Sequence, residues 1–189
     1  NNGRVFSEEK RPVGIAVDGS DNIYVIYVEK SQISLRIFSG GSWGAAFLLA
    51  DWRSGDCDSA RVAVDSLGNI FTCWWTLDSY TVHSRARVDG VWEDLRHISA
   101  GQAKFCDIAV GTNSVFACWT ARHNTTVYQI FYVRRSTSLN AEWTKPQLMY
   151  RGSHKQQVPA VEVDSSDIAH IAFTPAYEEA GMRMVRYCR

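Results

Sequence analysis

The chain has 189 residues, of which 46% are apolar and 21% charged, and its 20 basic and 20 acidic side chains give a formal net charge of +0. This balance lacks the basic excess of a nucleic-acid-binding protein, so we expect no nucleic-acid partner. No apolar run approaches the roughly 18 residues that a membrane span requires, so no span is expected either. The composition favours a globular domain, with an extracellular or cell-surface setting slightly favoured.

Four segments along the chain share one pattern, an apolar strand that ends at a turn residue. The pattern ends at Asp18, Asp65, Gly111 and Asp164, which gives a repeat of roughly 47 residues. A short turn follows, and then a second apolar run that ends in an aromatic residue: Tyr27, Trp74, Trp119 and Phe173. We expect the aspartates to bond backbone N–H groups of the turn, and not to serve in metal or acid chemistry.

Each unit continues with two more strands. A third strand is predicted at 34–38, 82–88, 129–134 and 182–187, and a fourth opens with Trp43, Trp92 or Trp143 in the first three units. No stretch has sustained helical periodicity. Units of four strands and this length are typical of propeller blades. The sequence therefore predicts an all-β fold with a single β-propeller domain over 1–189 and four four-stranded blades, at about 11–50, 58–99, 105–150 and 158–189.

The two ends of the chain indicate how the blades close. Segment 1–9 is similar to the outer strand of the other units, with Phe6 in place of the tryptophan, so we expect this N-terminal strand to complete the last blade. Closure within one chain would give a four-bladed ring, which we favour because it leaves no sheet edge open. Two alternatives remain: a homodimer of eight blades formed by strand exchange, and a fragment of a larger propeller.

One segment carries a family resemblance. Ser136 and Trp143 have the spacing of Ser-x-Asp-x-Gly-x-x-Trp, the Asp box of sialidase-like propellers, although Ser138 replaces the Asp and Asn140 the Gly. Segments 15–27 and 62–74 also resemble the inner strand pairs of these proteins. The resemblance implies a propeller architecture over nearly the whole chain. It does not imply one function, because such propellers include hydrolases, lectins and interaction domains.

Cysteine and histidine residues give no sign of a metal site. The cysteines number 5, an odd count, and none lies in a zinc-binding spacing, so we expect no metal and no cofactor. Cys73 and Cys118 occupy the same position in two units, which predicts small buried side chains. His170 occupies the position of Tyr24, Phe71 and Phe116, which predicts a strand histidine with satisfied hydrogen bonds.

A ligand site is expected where the connections from second to third strand meet those between units. Trp75 stands out, because the other units have Val28, Thr120 and Thr174 at its position; an exposed indole there would stack on a sugar, and blade packing is the alternative. The full set of candidate binding residues is Trp52, Arg53, Trp75, Arg122, His123, His154 and Tyr177.

These features favour a non-catalytic binding module with a carbohydrate ligand. A sialidase-like glycoside hydrolase, or its relic, is one alternative, with Tyr177 and Glu178 as candidate nucleophile and activating base. No catalytic residue can be assigned from a motif. The other alternative is a protein–protein interaction scaffold, or an engineered or excised propeller with no ligand of its own.

Overall fold

The computed structural model describes residues 10–29, 31–51, 57–99, 101–123, 127–149, 156–175 and 186–188. All regular secondary structure within these residues is β-strand, arranged in four antiparallel sheets of consecutive strands. The described part of the chain contains no helix of the length and apolarity needed to span a membrane. The all-β prediction is therefore confirmed.

The strands follow one order in every sheet. The first sheet comprises β1 (Lys10–Val17), β2 (Ile23–Glu29), β3 (Gln32–Ser39), β4 (Ser42–Trp43) and β5 (Phe47–Asp51). The second comprises β6 (Cys57–Val64), β7 (Ile70–Thr76), β8 (Thr81–Val88), β9 (Val91–Trp92) and β10 (Arg96–His97). The third comprises β11 (Ala103–Val110), β12 (Ser114–His123), β13 (Val127–Ser136) and β14 (Gln147–Leu148). The fourth comprises β15 (Gln156–Val163), β16 (Ala169–Pro175) and β17 (Arg186–Cys188).

An irregularity in the first strand also recurs. The pairing of the first with the second strand shifts register at the same place in all four sheets. Ser59, Phe105 and Val158 lie at this shift with φ of 49°, 50° and 49°. A β-bulge of this kind bends the strand and increases its twist. The repeat in the sequence is therefore also a repeat in backbone geometry.

The core lies between neighbouring sheets. Tyr24 and Ile26 of the first sheet pack on Val62 and Trp74 of the second, all at most 7% exposed. Buried clusters also join the second sheet to the third and the third to the fourth. Cys73 and Cys118 are fully buried free thiols, which confirms the prediction for both.

Polar contacts tie the first strands of successive sheets together. The Arg61 guanidinium donates to the Val13 carbonyl oxygen at 2.7 Å, and its Nε lies 3.5 Å from Asp107 Oδ1. Asp107 Oδ2 in turn accepts a hydrogen bond from the Val161 N–H at 2.9 Å. Burial raises the pKa of Asp107, while these partners stabilise its charged form. A chain of polar contacts therefore links the first strands of all four sheets.

The two ends of this row of sheets differ from its middle. The first strands pack in sequence, β1 on β6, β6 on β11 and β11 on β15, and no comparable packing joins β15 to β1 among the described residues. Ile15 is 67% exposed, whereas the residues at its position in the other sheets, Val62, Ile108 and Val161, are 7%, 5% and 2% exposed. Segment 1–9 lies outside the described residues, so closure of the ring stays a prediction.

The turns after the first strands follow the sequence prediction. Asp18, Asp65 and Asp164 each accept hydrogen bonds from the backbone N–H groups two and four residues later, at 2.8–3.0 Å. His170 bonds Asp164 and Tyr187, as expected for a strand histidine with satisfied hydrogen bonds. The hydrogen bonds predicted for the aspartates and for His170 are confirmed.

The outer strand is more broken than the sequence predicted. In the first two sheets it is divided into two short pieces, β4 with β5 and β9 with β10. The break follows each tryptophan, because the next residue turns to donate a hydrogen bond to the third strand; Gly44 and Glu93 donate at 2.8 Å to Ile37 and Ala86. The tryptophans at this place are only partly buried: Trp43, Trp92 and Trp143.

Candidate functional site

A cleft opens where the second and third sheets meet, at the edge that carries the turn between β7 and β8. Five side chains among the described residues line this cleft of about 320 Å³: Tyr80, Gln102, Lys104, Arg122 and Tyr128. We call this set the tyrosine cleft. It lies on the face where the sequence predicted a ligand site, since second-to-third strand connections and the connection between β10 and β11 meet there.

One wall of the cleft comes from residues with unusual backbone geometry. Tyr80 ends the turn after β7 with φ of 50°, and Gln102 precedes β11 with φ of 53°. The Tyr80 carbonyl accepts a hydrogen bond from the Ala103 N–H at 2.7 Å, which joins the two segments. Left-handed backbone at a non-glycine residue is unfavourable and persists where the surroundings impose it, often at functional sites.

The other wall is a regular part of the third sheet. Arg122 of β12 and Tyr128 of β13 are register partners, and so are Lys104 and Thr120. Directly paired residues project on the same side of an antiparallel sheet, as do residues two apart along a strand. Arg122, Tyr128 and Lys104 therefore project from one face.

Cations and aromatic rings alternate in the cleft. Lys104 Nζ lies 5.3 Å from the Tyr80 ring centroid and 5.6 Å from that of Tyr128. The Arg122 guanidinium carbon lies 5.2 Å from the Tyr128 centroid. Contacts of this kind are worth about 0.5–1 kcal/mol at exposed sites and hold the long side chains over the rings. No carboxylate lines the cleft among the described residues.

The buried Trp75 and the half-buried Phe105 lie behind the Tyr80 wall. The Trp75 ring is roughly parallel to that of Tyr80 with centroids 6.3 Å apart, and it meets the Phe105 ring edge-on at 6.1 Å. Trp75 is 3% exposed, while Tyr80 is 40% exposed. Tyr80 is therefore a ring with one side packed and the rest open to solvent.

The structure divides the candidate residues from the sequence into three groups. Arg122 lines the cleft as expected. The prediction that Trp75 offers an exposed indole to a ligand is wrong, because Tyr80 and Phe105 pack against its ring and leave it 3% exposed. The backbone of His123 ends β12, where it pairs with Val127. The remaining candidates lie outside the described residues: Trp52, Arg53, His154 and Tyr177.

Sequence reasoning missed four of the five lining residues. Tyr80 and Tyr128 flank predicted second-to-third strand connections, so their aromatic rings were a signal that the same rule could have used. Lys104 gave no such signal, because it lies within a strand, and Gln102 gave none, because it is not aromatic.

A larger groove of about 460 Å³ lies beside the outer strands of the second and third sheets. Its Arg96 and Glu142 form an ion pair of 3.3 Å, so their charges neutralise each other. A third groove, of about 360 Å³ between the first two sheets, has Phe47 stacked on Trp92. The tyrosine cleft differs from both because its two cations lie over lining tyrosine rings and form no ion pair with a described carboxylate.

Two histidine clusters lie elsewhere in the molecule. His83 is 1% exposed, and burial together with the nearby His97 lowers its pKa to about 4, so it is neutral at pH 7. His170 lies between Asp164 and Tyr187 on the last sheet and continues the aspartate turn described above. Within the described ranges, no group of three or more His, Cys, Asp or Glu side chains is placed to hold a metal ion.

Several solved structures resemble this chain in fold at low sequence identity. The hydrazine synthase of Kuenenia stuttgartiensis superposes with a TM-score of 0.65 at 12% identity, over 87% of this chain and 52% of that one. An α-L-arabinanase of Penicillium chrysogenum gives 0.64 at 8% identity, over 96% and 62%. The NanB sialidase of Streptococcus pneumoniae gives 0.57 at 11% identity, over 82% and 26%. The fold is propeller-like.

Those identities show the fold alone. The sequence matches no family model, and it matches none of the curated proteins. The chain spans about half the length of the first solved structures that it resembles.

Proposed function

We propose that the four described sheets are blades of a β-propeller and that the tyrosine cleft binds carbohydrate without catalysing a reaction on it. The observation that carries this proposal is the pair of tyrosine rings beside hydrogen-bonding side chains in one solvent-accessible cleft. An aromatic ring stacks well on the apolar C–H face of a sugar, while polar groups around it bond the hydroxyls.

Three further observations support this function. Tyr80 packs on Trp75, which in turn packs on Phe105, so little side-chain entropy is lost when a ligand stacks on Tyr80. Gln102 adds an amide that both donates and accepts hydrogen bonds. Several structural neighbours act on glycans by their names, among them the sialidase and the arabinanase, the latter solved with arabinobiose.

The non-catalytic part of the proposal follows from the chemistry of the cleft. Glycoside hydrolysis ordinarily uses two carboxyl groups, one as acid and one as base or nucleophile. The lining side chains are two tyrosines, an amide, an amine and a guanidinium. This set can hold a sugar and has no ordinary proton donor and acceptor pair for hydrolysis.

A glycan array followed by titration calorimetry tests the function. We expect Tyr128→Ala and Tyr80→Ala to weaken binding of the best glycan about tenfold or more, since each removes a stacking surface. Tyr187→Ala is the matched control, because Tyr187 is 58% exposed and lies on the last sheet. Its affinity should equal that of the unmodified protein.

Two outcomes would contradict the proposal. One is a glycan that the Tyr128→Ala and Tyr80→Ala proteins bind as tightly as the unmodified protein does, which would place the site elsewhere. The other is a folded protein that binds no glycan, which favours the interaction-scaffold alternative. Turnover of a bound glycan would overturn the non-catalytic part alone.

A further inference from the structure

We propose that the sugar bound in the tyrosine cleft carries a sulfate ester, which Lys104 and Arg122 hold together. This inference rests on the proposed carbohydrate function and adds the chemical class of the ligand. Its starting point is that the cleft has two cations and no lining carboxylate among the described residues. A neutral sugar would leave both charges uncompensated.

Four basic residues between the sheets each have an oxygen partner. Arg85 donates to the Leu49 carbonyl oxygen at 3.0 Å, and three others face carboxylates. Arg61 faces Asp107, Arg96 faces Glu142 and Arg135 faces Glu93. By contrast, Lys104 and Arg122 form no ion pair with a described carboxylate, and the contacts found for their charged groups are with tyrosine rings. A cation over a ring keeps its N–H groups available, because the ring face takes none of them in a full hydrogen bond.

The placement of the two cations favours a sulfate over a carboxylate. Both lie near one ring, with Lys104 Nζ 5.6 Å and the Arg122 guanidinium carbon 5.2 Å from the Tyr128 centroid. A planar carboxylate is matched by a single guanidinium through two parallel hydrogen bonds. The oxygens of a sulfate ester diverge, so a guanidinium fork and a compact ammonium can each bond different oxygens of one group.

The same arrangement sets where the rest of the sugar lies. With the sulfate between Lys104 and Arg122, the ring of the sugar lies next to Tyr80 or Tyr128, and Gln102 is close to its hydroxyls. Thr120, the register partner of Lys104, has a buried hydroxyl with no hydrogen-bond partner among the described residues. An ordered water beneath the ligand would satisfy it and link it to the sulfate.

Calorimetric titration with three chains tests the inference: chondroitin sulfate, chemically desulfated chondroitin and neutral arabinan. Desulfated chondroitin keeps its carboxylates, so it isolates the sulfate ester. We expect chondroitin sulfate to bind about tenfold or more tightly than desulfated chondroitin, as hydrogen bonds to a charged group would give. This advantage should shrink as salt is raised, because salt screens charges at the protein surface.

Lys104→Gln and Arg122→Gln remove one cation each and keep a polar side chain. Each should abolish most of the preference for the sulfated chain, while Lys145→Gln, at an exposed lysine of the outer groove, should keep it. Equal affinity for sulfated and desulfated chondroitin would overturn the inference. Complete displacement of chondroitin sulfate by inorganic sulfate at the same concentration would also overturn it. Binding of arabinan alone overturns the sulfate and leaves the carbohydrate function standing; binding of no chain, with melting curves intact, counts against both.

Discussion

At residue 111, a side chain of the fourth sheet provides a hydrogen-bond acceptor that the third sheet lacks. In the other three turns an aspartate directly follows the first strand and accepts a hydrogen bond from the N–H two residues after it. Gly111 has no side chain, and the Asn113 N–H donates instead to Asp167 Oδ1 of the next sheet, at 3.3 Å. A Cβ on residue 111 would lie 2.1 Å from that oxygen and 2.6 Å from Val163 Cγ1.

We therefore expect Gly111→Ala to destabilise the protein by about 1–3 kcal/mol, the usual cost of overpacking. Urea unfolding followed by tryptophan fluorescence measures this change in the free energy of unfolding. Gly19→Ala is the control, because a Cβ at Gly19 meets nothing within 4 Å. It should be neutral or raise stability by up to about 1 kcal/mol, since alanine restricts the unfolded chain. Equal effects of the two substitutions would exclude this contact between the sheets.

At the level of whole elements, a buried ion pair joins the second and third sheets. Glu93 follows β9, and Arg135 lies near the end of β13; their side chains are each 1% exposed. The two Arg135 Nη atoms lie 2.6 and 2.7 Å from the Glu93 carboxylate oxygens, and the Asn140 N–H donates to the same carboxylate at 2.7 Å. Burial would raise the pKa of Glu93, but the hydrogen bonds and charge of Arg135 outweigh it, so that the pKa is lowered.

Removing the Glu93 charge should leave Arg135 buried without its partner. We expect Glu93→Gln to cost about 3–5 kcal/mol of unfolding free energy. Glu142→Gln is the control, because Glu142 is 75% exposed and its pair with Arg96 should be worth at most about 1 kcal/mol. Thermal melts that show the same loss for both variants would contradict a special role of the buried pair.

The same pair predicts a pH dependence. The pKa of Glu93 in the folded protein lies below its ordinary value of about 4.3, so the pair stabilises the fold above that pH and is lost as the pH falls through the lowered value. The melting temperature of the unmodified protein should therefore fall more steeply below about pH 4.3 than that of Glu93→Gln. Parallel curves would contradict the lowered pKa.

These elements also show what the sequence could and could not predict. The turn aspartates, the buried cysteines and the strand pattern were predictable, because each depends on neighbours within a few residues along the chain. The partner of Arg135 was not, since Glu93 lies 42 residues earlier. The cleft combines both cases: Arg122 was named from its connection, whereas Lys104 lies within β11 and contacts Tyr80 through packing between two sheets. Trp75 was misinterpreted, because an aromatic that departs from the repeat also fits a supporting position behind Tyr80.

On the scale of the molecule, the face of the first sheet that carries Ile15 is exposed and has no neighbouring sheet among the described residues. Ile15 and Ile108 occupy equivalent positions in the first and third sheets, yet Ile15 is 67% exposed and Ile108 5%. The last sheet presents a polar face at the other end of the row. Its exposed Glu162 is the register partner of His170, whereas the equivalent pair in the second sheet, Ala63 and Phe71, is apolar and buried. A closed ring, within one chain or between two, would have to bring these unlike faces together.

Ile15→Ala and Ile108→Ala make the same chemical change at equivalent positions. Comparing their effects on stability therefore shows whether the face that carries Ile15 is covered in solution. We expect Ile108→Ala to cost about 2–5 kcal/mol, as for a buried isoleucine, and Ile15→Ala to stay within about 0.5 kcal/mol, as for an exposed site. Equal costs would mean that the face of Ile15 is covered in solution. Sedimentation at several concentrations would then assign the cover, because a ring closed by segment 1–9 stays monomeric whereas strand exchange between two chains gives a dimer that dissociates on dilution.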